Sequence, residues 1–328
     1  MKKSLFFGTI SPMILGGKCK LFLICSICFW SVIAKADVLP LNDALRATYT
    51  ACVGIDDSLA DLKKMAGINT AVTGVGTAAG AGATVVGLVK ASKDKKIANL
   101  EEKLAKLKEI TSRQLITVPN RAELLSETDQ YYQDNKDETK TLEDEITVLT
   151  KQSKKLGNWR TGLIAGSTAT NVAGAIIAGN NKVDDDLQTQ IDSCKLSVKN
   201  LRDSIMQARF NGEDISEANT IADACKEYDY VDISPINKRA KGAMISSVIG
   251  ATTGLAGTVT SAMANTDKIR DDNTDSCKQK EKNLNTAANV LSGATTVASA
   301  TATVFNATQI SAIKKVAAVA QKCTEVLK

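Results

Sequence analysis

The chain has 328 residues, 44% of them hydrophobic yet only 4% aromatic, with 41 basic against 36 acidic side chains and no histidine. The lack of histidine removes the commonest general base, every Ser-His or Cys-His nucleophile pair and the usual zinc ligand. So few aromatics argue against an ordinary globular core, and only four prolines leave room for long helices packed through Ala, Leu and Val.

In chain order, residues 1–36 resemble a secretory signal peptide. Lys18 and Lys20 precede the apolar run from Leu21 to Ile33, and Ala34-Lys35-Ala36 offers a small-x-small cleavage site before Asp37. This segment holds five lysines and no acid, so the rest of the chain balances 36 basic against 36 acidic residues. It has no basic footprint for nucleic acid.

From Leu41 onward, Leu45, Cys52, Ile55, Leu59 and Leu62 follow a seven-residue rhythm with Thr48 in the gap, which predicts a helix running straight into a small-residue window. After Lys90 the chain becomes highly charged. Ile97, Leu100, Leu104 and Leu107 recur at three and four, with Glu102–Lys106 and Glu109–Arg113 as i,i+4 pairs. Pro119 and the polar run Ser126 to Lys136 mark a tip, and Leu142, Ile146, Leu149 and Leu156 return. Residues 92–156 are therefore expected to form a coiled-coil hairpin arm.

Past Asn180, Asp184, Asp185 and Asp186 suit a helix start, and Leu187, Ile191, Cys194, Val198, Leu201, Ile205 and Ala208 make an unbroken heptad pattern. Phe210-Asn211-Gly212 reads as a helix end, Ser216 as the next cap, and Ala218, Ile221, Cys225 and Tyr228 continue the seam. Pro235 interrupts before another window, Asp271 to Cys277 is polar, and Ile313, Val316, Ala320, Cys323 and Leu327 close the chain with an amphipathic helix.

Four windows of about twenty nearly uncharged residues punctuate this pattern, a length that suits a bilayer span. They are Gly67 to Lys90, Gly157 to Asn180, Lys241 to Asn265 and Asn285 to Thr308. Within them small residues recur every fourth position: Gly74, Ala78 and Gly82; Gly162, Gly166, Thr170, Gly174 and Ala178; Gly242, Ser246, Gly250, Gly254 and Thr258. Together with Gly257, these glycines are expected to let helix backbones approach closely, as in glycine-zipper packing. Burial must then offset a cost of about 1 kcal/mol for each helical glycine.

An internal repeat with an offset of 83 residues is also visible. Asp192-Ser193-Cys194-Lys195 recurs as Asp275-Ser276-Cys277-Lys278, and Thr170, Ala173 and Gly174 as Thr253, Ala256 and Gly257.

No catalytic, cofactor-binding or metal-ligating constellation emerges. Gly74, Gly76 and Gly80 follow no strand and lead to no Lys-Ser/Thr at phosphate-binding spacing. The acidic clusters lack the alternation of a calcium loop. Cys52, Cys194, Cys225, Cys277 and Cys323 all fall on apolar seam positions, where they serve either as disulfides in an exported protein or as small packing residues.

The expected fold is all-α: an elongated helical bundle with coiled-coil arms and four small-residue helices. It divides into a signal peptide (1–36), an N-terminal helical unit with its arm (37–180) and a C-terminal unit containing part of the repeat (181–328). The expected role is structural or interaction-based rather than enzymatic, in an exported envelope protein embedded in the inner membrane. Homo-oligomers would form through the small-residue faces and arms, without a cofactor, nucleic acid or small-molecule substrate. That topology puts Cys52, Cys194, Cys225 and Cys323 in the oxidising compartment as candidate disulfide partners and Cys277 in the reducing one. The competing reading is a soluble periplasmic or secreted helical-bundle binding protein, with a helical pore former as its variant. Asn69, Asn171 and Asn289 support it by making the windows marginal spans.

Overall fold

The computed structural model describes residues 38–117, 125–266, 269 and 274–328, which contain helices and no strand. The proposed signal peptide, the arm tip around Pro119 and the acids Asp271 and Asp272 lie outside the described residues.

Helix α1 (Leu41–Cys52) stops at Val53, and Gly54, at φ +92°, turns the chain into α2 (Ile55–Thr117). That backbone conformation is one only glycine adopts readily, so the heptad rhythm crosses a break that it does not reveal. Helix α3 spans Leu125–Asn180 and α4 Asp185–Phe210, the latter opened by Asp184, whose side chain accepts from the Leu187 N–H at 2.8 Å. Gly212, at φ +76°, ends that segment. Helix α5 (Ser216–Cys225) is preceded by Asp214, which accepts from both the backbone N–H and the hydroxyl of Ser216. Ser216 is thus held by a cap rather than acting as one. A 3-10 segment (Lys226–Tyr230) leads to α6 (Ser234–Ala264), with Pro235 in its first turn, and α7 (Asp275–Leu327) closes the chain.

These helices form three regions along one axis. In the middle, α2 packs on α3 and α7, and α6 packs on the same two, closing a square antiparallel bundle. Beyond one end, α2 and α3 continue as an antiparallel pair, the arm, in which Leu100 and Leu149 are buried and Lys96–Glu145 and Lys108–Glu143 pair at 2.7 Å. Beyond the other end, α1, α4, α5 and the 3-10 segment wrap the start of α2 and the end of α7 into a cap. The bundle thus draws two helices from residues 37–180 and two from residues 181–328.

The cap has a conventional apolar core, including Ile55, Leu59, Ile191, Val198, Leu201 and Ile313. Two disulfides hold it together: Cys52–Cys194 joins α1 to α4 and Cys225–Cys323 joins α5 to α7, with Cα separations of 4.8 and 4.5 Å. Cys277 lies at the opposite end of the bundle, in the first turn of α7.

Candidate membrane-facing bundle and its polar seam

One row of buried positions on each bundle helix advances by three and four, with Ser246, Ala251 and Ala298 also buried beside it. On α2 they run Ala66, Asn69, Thr73, Gly76, Gly80, Ala83, Gly87 and Lys90; on α6, Ala240, Ala243, Ser247, Gly250, Gly254, Gly257 and Ser261. On α7 they run Ala288, Ser292, Thr295, Ser299, Ala302, Asn306 and Gln309. An average of 3.5 keeps a helix face turned toward its neighbours, drifting only about 20° per heptad. The cap's seam therefore passes through the bundle unbroken, but its chemistry changes from Ile and Leu to Gly, Ala, Ser, Thr and Asn.

The polar seam residues bond across helices. Asn69 Nδ2 donates to Asn306 Oδ1 at 2.9 Å, and Asn306 donates to Thr73 Oγ1 at 3.3 Å. Asn171 Nδ2 donates to Ser299 Oγ at 2.8 Å, and Ser167 Oγ reaches the Gly76 carbonyl at 2.7 Å. Hydroxyl pairs add Thr84–Ser292 at 3.1 Å and Thr161–Ser261 at 2.7 Å.

The glycines make room for these contacts. A Cβ on Gly250 would lie 2.8 Å from the Asn171 amide, one on Gly174 2.8 Å from Thr73 Cγ2, and one on Gly257 3.3 Å from Leu291 Cβ. A Cβ on Gly254 would collide with Thr168, while Gly82 would meet Leu163 at an ordinary 3.5 Å. Gly74, Gly162 and Gly166 are different, for an added Cβ there meets nothing within 4 Å. These three face away from the neighbouring helices and take no part in packing among the described residues. The physical reason is helical drift: each four-residue step advances about 40° around the axis, so the row from Gly162 to Ala178 winds through about 160°. Gly76, Gly80, Gly87, Gly157 and Gly242 do sit against neighbouring side chains, and a three-and-four spacing carried forward from Cys52 would have found Gly76, Gly80 and Gly87.

Outside, aliphatic side chains predominate, with Thr252, Thr301 and Thr308 exposed among them. Val75, Leu88, Ile176, Leu255, Val259, Val290, Val297 and Val304 each keep more than half their surface exposed. The sidedness is thus inverted relative to the cap, with hydroxyls and amides inside and aliphatic side chains outside. The helical stretches Leu41–Ser112, Gln133–Phe210 and Ser234–Ala264 are long and apolar enough to cross a membrane, with windows of mean hydropathy 1.6, 1.3 and 1.3. Only 28%, 33% and 33% of those windows is buried. Helix α7 is not among them, because Asn285, Asn289, Asn306 and many Ser and Thr lower its mean hydropathy.

At the junction with the arm the interior turns charged. Arg160, fully buried, donates to Ser261 Oγ at 3.0 Å, Asn289 Oδ1 at 3.1 Å and Asn285 Oδ1 at 2.7 Å. Buried Lys90 pairs with Asp94 at 2.6 Å and Glu281 at 3.4 Å, and Ser153 donates to the other oxygen of Asp94. This cluster ends the hydroxyl-lined axis with its charges matched.

In the cap, burial first and then the Asp56 charge push the Tyr228 phenol above its ordinary range, and its hydroxyl has no hydrogen-bond partner among the described residues. An open cleft of about 380 Å³ between α2 and the α3–α4 junction is lined by Ser58, Asp61, Asn180, Asp184 and Gln190. Among the described residues no group of three or more His, Cys, Asp or Glu is placed to hold a metal ion.

No family model, curated protein or solved structure matches this chain.

Proposed function

We propose that this chain is an exported envelope protein embedded in the inner membrane by its four-helix bundle, with a structural or interaction role and no enzymatic one. The observation that supports this reading is the inverted sidedness of the bundle beside a conventionally packed cap in the same chain. A stripe of exposed Val, Ile and Leu around a hydrogen-bonded polar interior costs free energy in water, where the hydrophobic effect favours the reverse. In hydrocarbon it is favourable, because lipid covers the aliphatic side chains and every interior donor needs a partner within the protein. Residues 68–89 of α2, at about 1.5 Å per residue, extend about 33 Å, close to the thickness of a bilayer's hydrocarbon core.

In this reading the leader directs export, the disulfide-held cap stands on the oxidising side and the arm projects on the reducing side. Gly74, Gly162 and Gly166, turned outward, would serve contacts with a second copy rather than packing within the chain.

Carbonate extraction of envelopes tests the proposal. Retention in the pellet, with a Thr50→Cys cap label accessible only from outside and a Lys103→Cys arm label only from inside, is expected. Complete release into the supernatant would refute membrane embedding. That result would favour the second reading, a soluble helical-bundle binding protein. The polarity of α7 supports this alternative, since its window does not qualify as a span by itself. The seam accounts for the same fact differently: α7's polar residues face its three neighbours, so it would cross only as part of the assembled bundle.

A further inference from the structure

We propose that a lysine collar at the arm end of the bundle binds the phosphate-bearing headgroups of anionic phospholipids. The inference rests on the membrane-embedded reading and adds to it a lipid class and a site.

Three stretches meet at this level: residues 90–96 of α2, 151–160 of α3 and 278–285 of α7. Their registry follows from side-chain contacts, with Lys93 donating to Gln152 Oε1 at 2.6 Å and Lys90 reaching Glu281. Together they carry eleven basic residues and two acids. Both acids, Asp94 and Glu281, turn inward to Lys90. The charges are thus sorted by side: the acids are consumed in the interior and the outward face is left positive.

Lys95, Lys151, Lys155, Lys280 and Lys282 are exposed and belong to none of the ion pairs among the described residues. Lys96 and Lys278, by contrast, are paired with Glu145 and Glu101. The collar is continuous with the apolar belt, whose Leu88 and Val89 are exposed about one turn away. Trp159 stands at the boundary, 61% exposed, where an indole favours the headgroup level. The opposite end of the bundle carries more acid, with Lys63, Lys64, Lys182, Lys238, Arg239 and Lys241 set against Asp61, Asp184, Asp185 and Asp186. A ring so nearly free of unpaired acid, beside an aromatic anchor and a lipid-facing belt, is complementary to anionic headgroups. Each lysine held near such a surface strengthens binding about fivefold.

The test uses the full chain carrying Trp30→Phe, purified in mild neutral detergent, with Trp159 emission as the reporter. It is titrated with micelles containing phosphatidylglycerol, with phosphatidylcholine micelles, and with inorganic phosphate. Phosphatidylglycerol is expected to bind at least tenfold more tightly than phosphatidylcholine. The Lys95→Gln/Lys151→Gln/Lys155→Gln/Lys280→Gln variant is expected to lose that preference while keeping both disulfides and its melting temperature. Equal affinity for the two lipids, or a preference that survives in the variant, overturns the collar assignment and leaves membrane embedding intact. Saturation by millimolar phosphate alone overturns the lipid assignment in favour of a free-anion site. A chain that stays soluble without detergent and takes up neither lipid overturns the membrane reading itself.

Discussion

Replacing Gly166 and Gly254 separately by alanine should shift stability in different directions. Inside a helix, alanine is favoured over glycine by about 1 kcal/mol, because glycine loses more backbone freedom on folding. At Gly166 the new methyl meets nothing within 4 Å, so that gain stands. At Gly254 the methyl lands on the Thr168 side chain and 3.4 Å from its Cα. Thr168 cannot simply rotate away, being buried with its hydroxyl donating to the Ile164 carbonyl at 2.8 Å. Relief requires α3 and α6 to move apart, and overpacking of this kind costs about 1–3 kcal/mol. The propensity gain is common to both sites, so the variants should differ by about 1–3 kcal/mol. For a chain of this size that is roughly 1.5–5 °C in melting temperature, measured on the purified chain in detergent with disulfides intact. Leucine should widen the gap, disrupting the Gly254 fold while sparing the Gly166 monomer. Equal shifts at both sites would refute the assignment of Gly254 to the seam and Gly166 to the outer face.

Arg160→Met should destabilise by about 1–3 kcal/mol by leaving buried Ser261 and the half-buried acceptors Asn285 and Asn289 without their donor, measured by the same melting assay; wild-type stability would contradict a structural role for the cluster. Removing Cys225 and Cys323 together opens a link across a sequence separation of 98 and should cost about 2–5 kcal/mol. Its check is a melt without reductant beside gel mobility before and after reduction. Tyr228→Phe should be neutral or stabilising by up to about 1 kcal/mol, since it removes a buried hydroxyl that bonds to nothing among the described residues. It should also change the alkaline limb of stability. The folded phenol's pKa is raised above its unfolded value, near 10, so the wild-type contribution is complete below that value and lost as pH rises through the folded pKa. An unchanged alkaline midpoint in the variant would count against burial of Tyr228.

The apolar rhythm from Leu41 and the heptads after Asp184 are local signals, and the cap's core lies where they point. The helical pairing of the arm follows the same kind of signal, since Leu100 and Leu149 repeat in phase with their neighbours and both are buried. The packing face of the windows was harder to read. Small residues are so frequent there that a four-residue row and a three-and-four row both find glycines, and only the neighbouring helices distinguish them. Gly74, Gly162 and Gly166 satisfied the first pattern, whereas Gly76, Gly80 and Gly87 satisfied the second. Lys90 and Arg160 are both buried, which no local pattern indicates, because Glu281 beside Lys90 and all three acceptors of Arg160 arrive from α7 and α6, more than a hundred residues later in the chain.

Composition and periodicity alone determined that the chain is helical, that it has no histidine for Ser-His or Cys-His nucleophile pairs, and that its small-residue windows must pack tightly to exist as helices. These are properties of single segments, fixed by backbone propensity and by which side chains share a face. Tertiary structure decided which cysteines meet, which glycines touch a neighbour, and that the bundle hides its amides and hydroxyls while presenting valine and leucine outward. Each of those depends on how α6 and α7 close a square against α2 and α3. No local pattern encodes that choice, because it is made by complementarity between surfaces far apart in the chain.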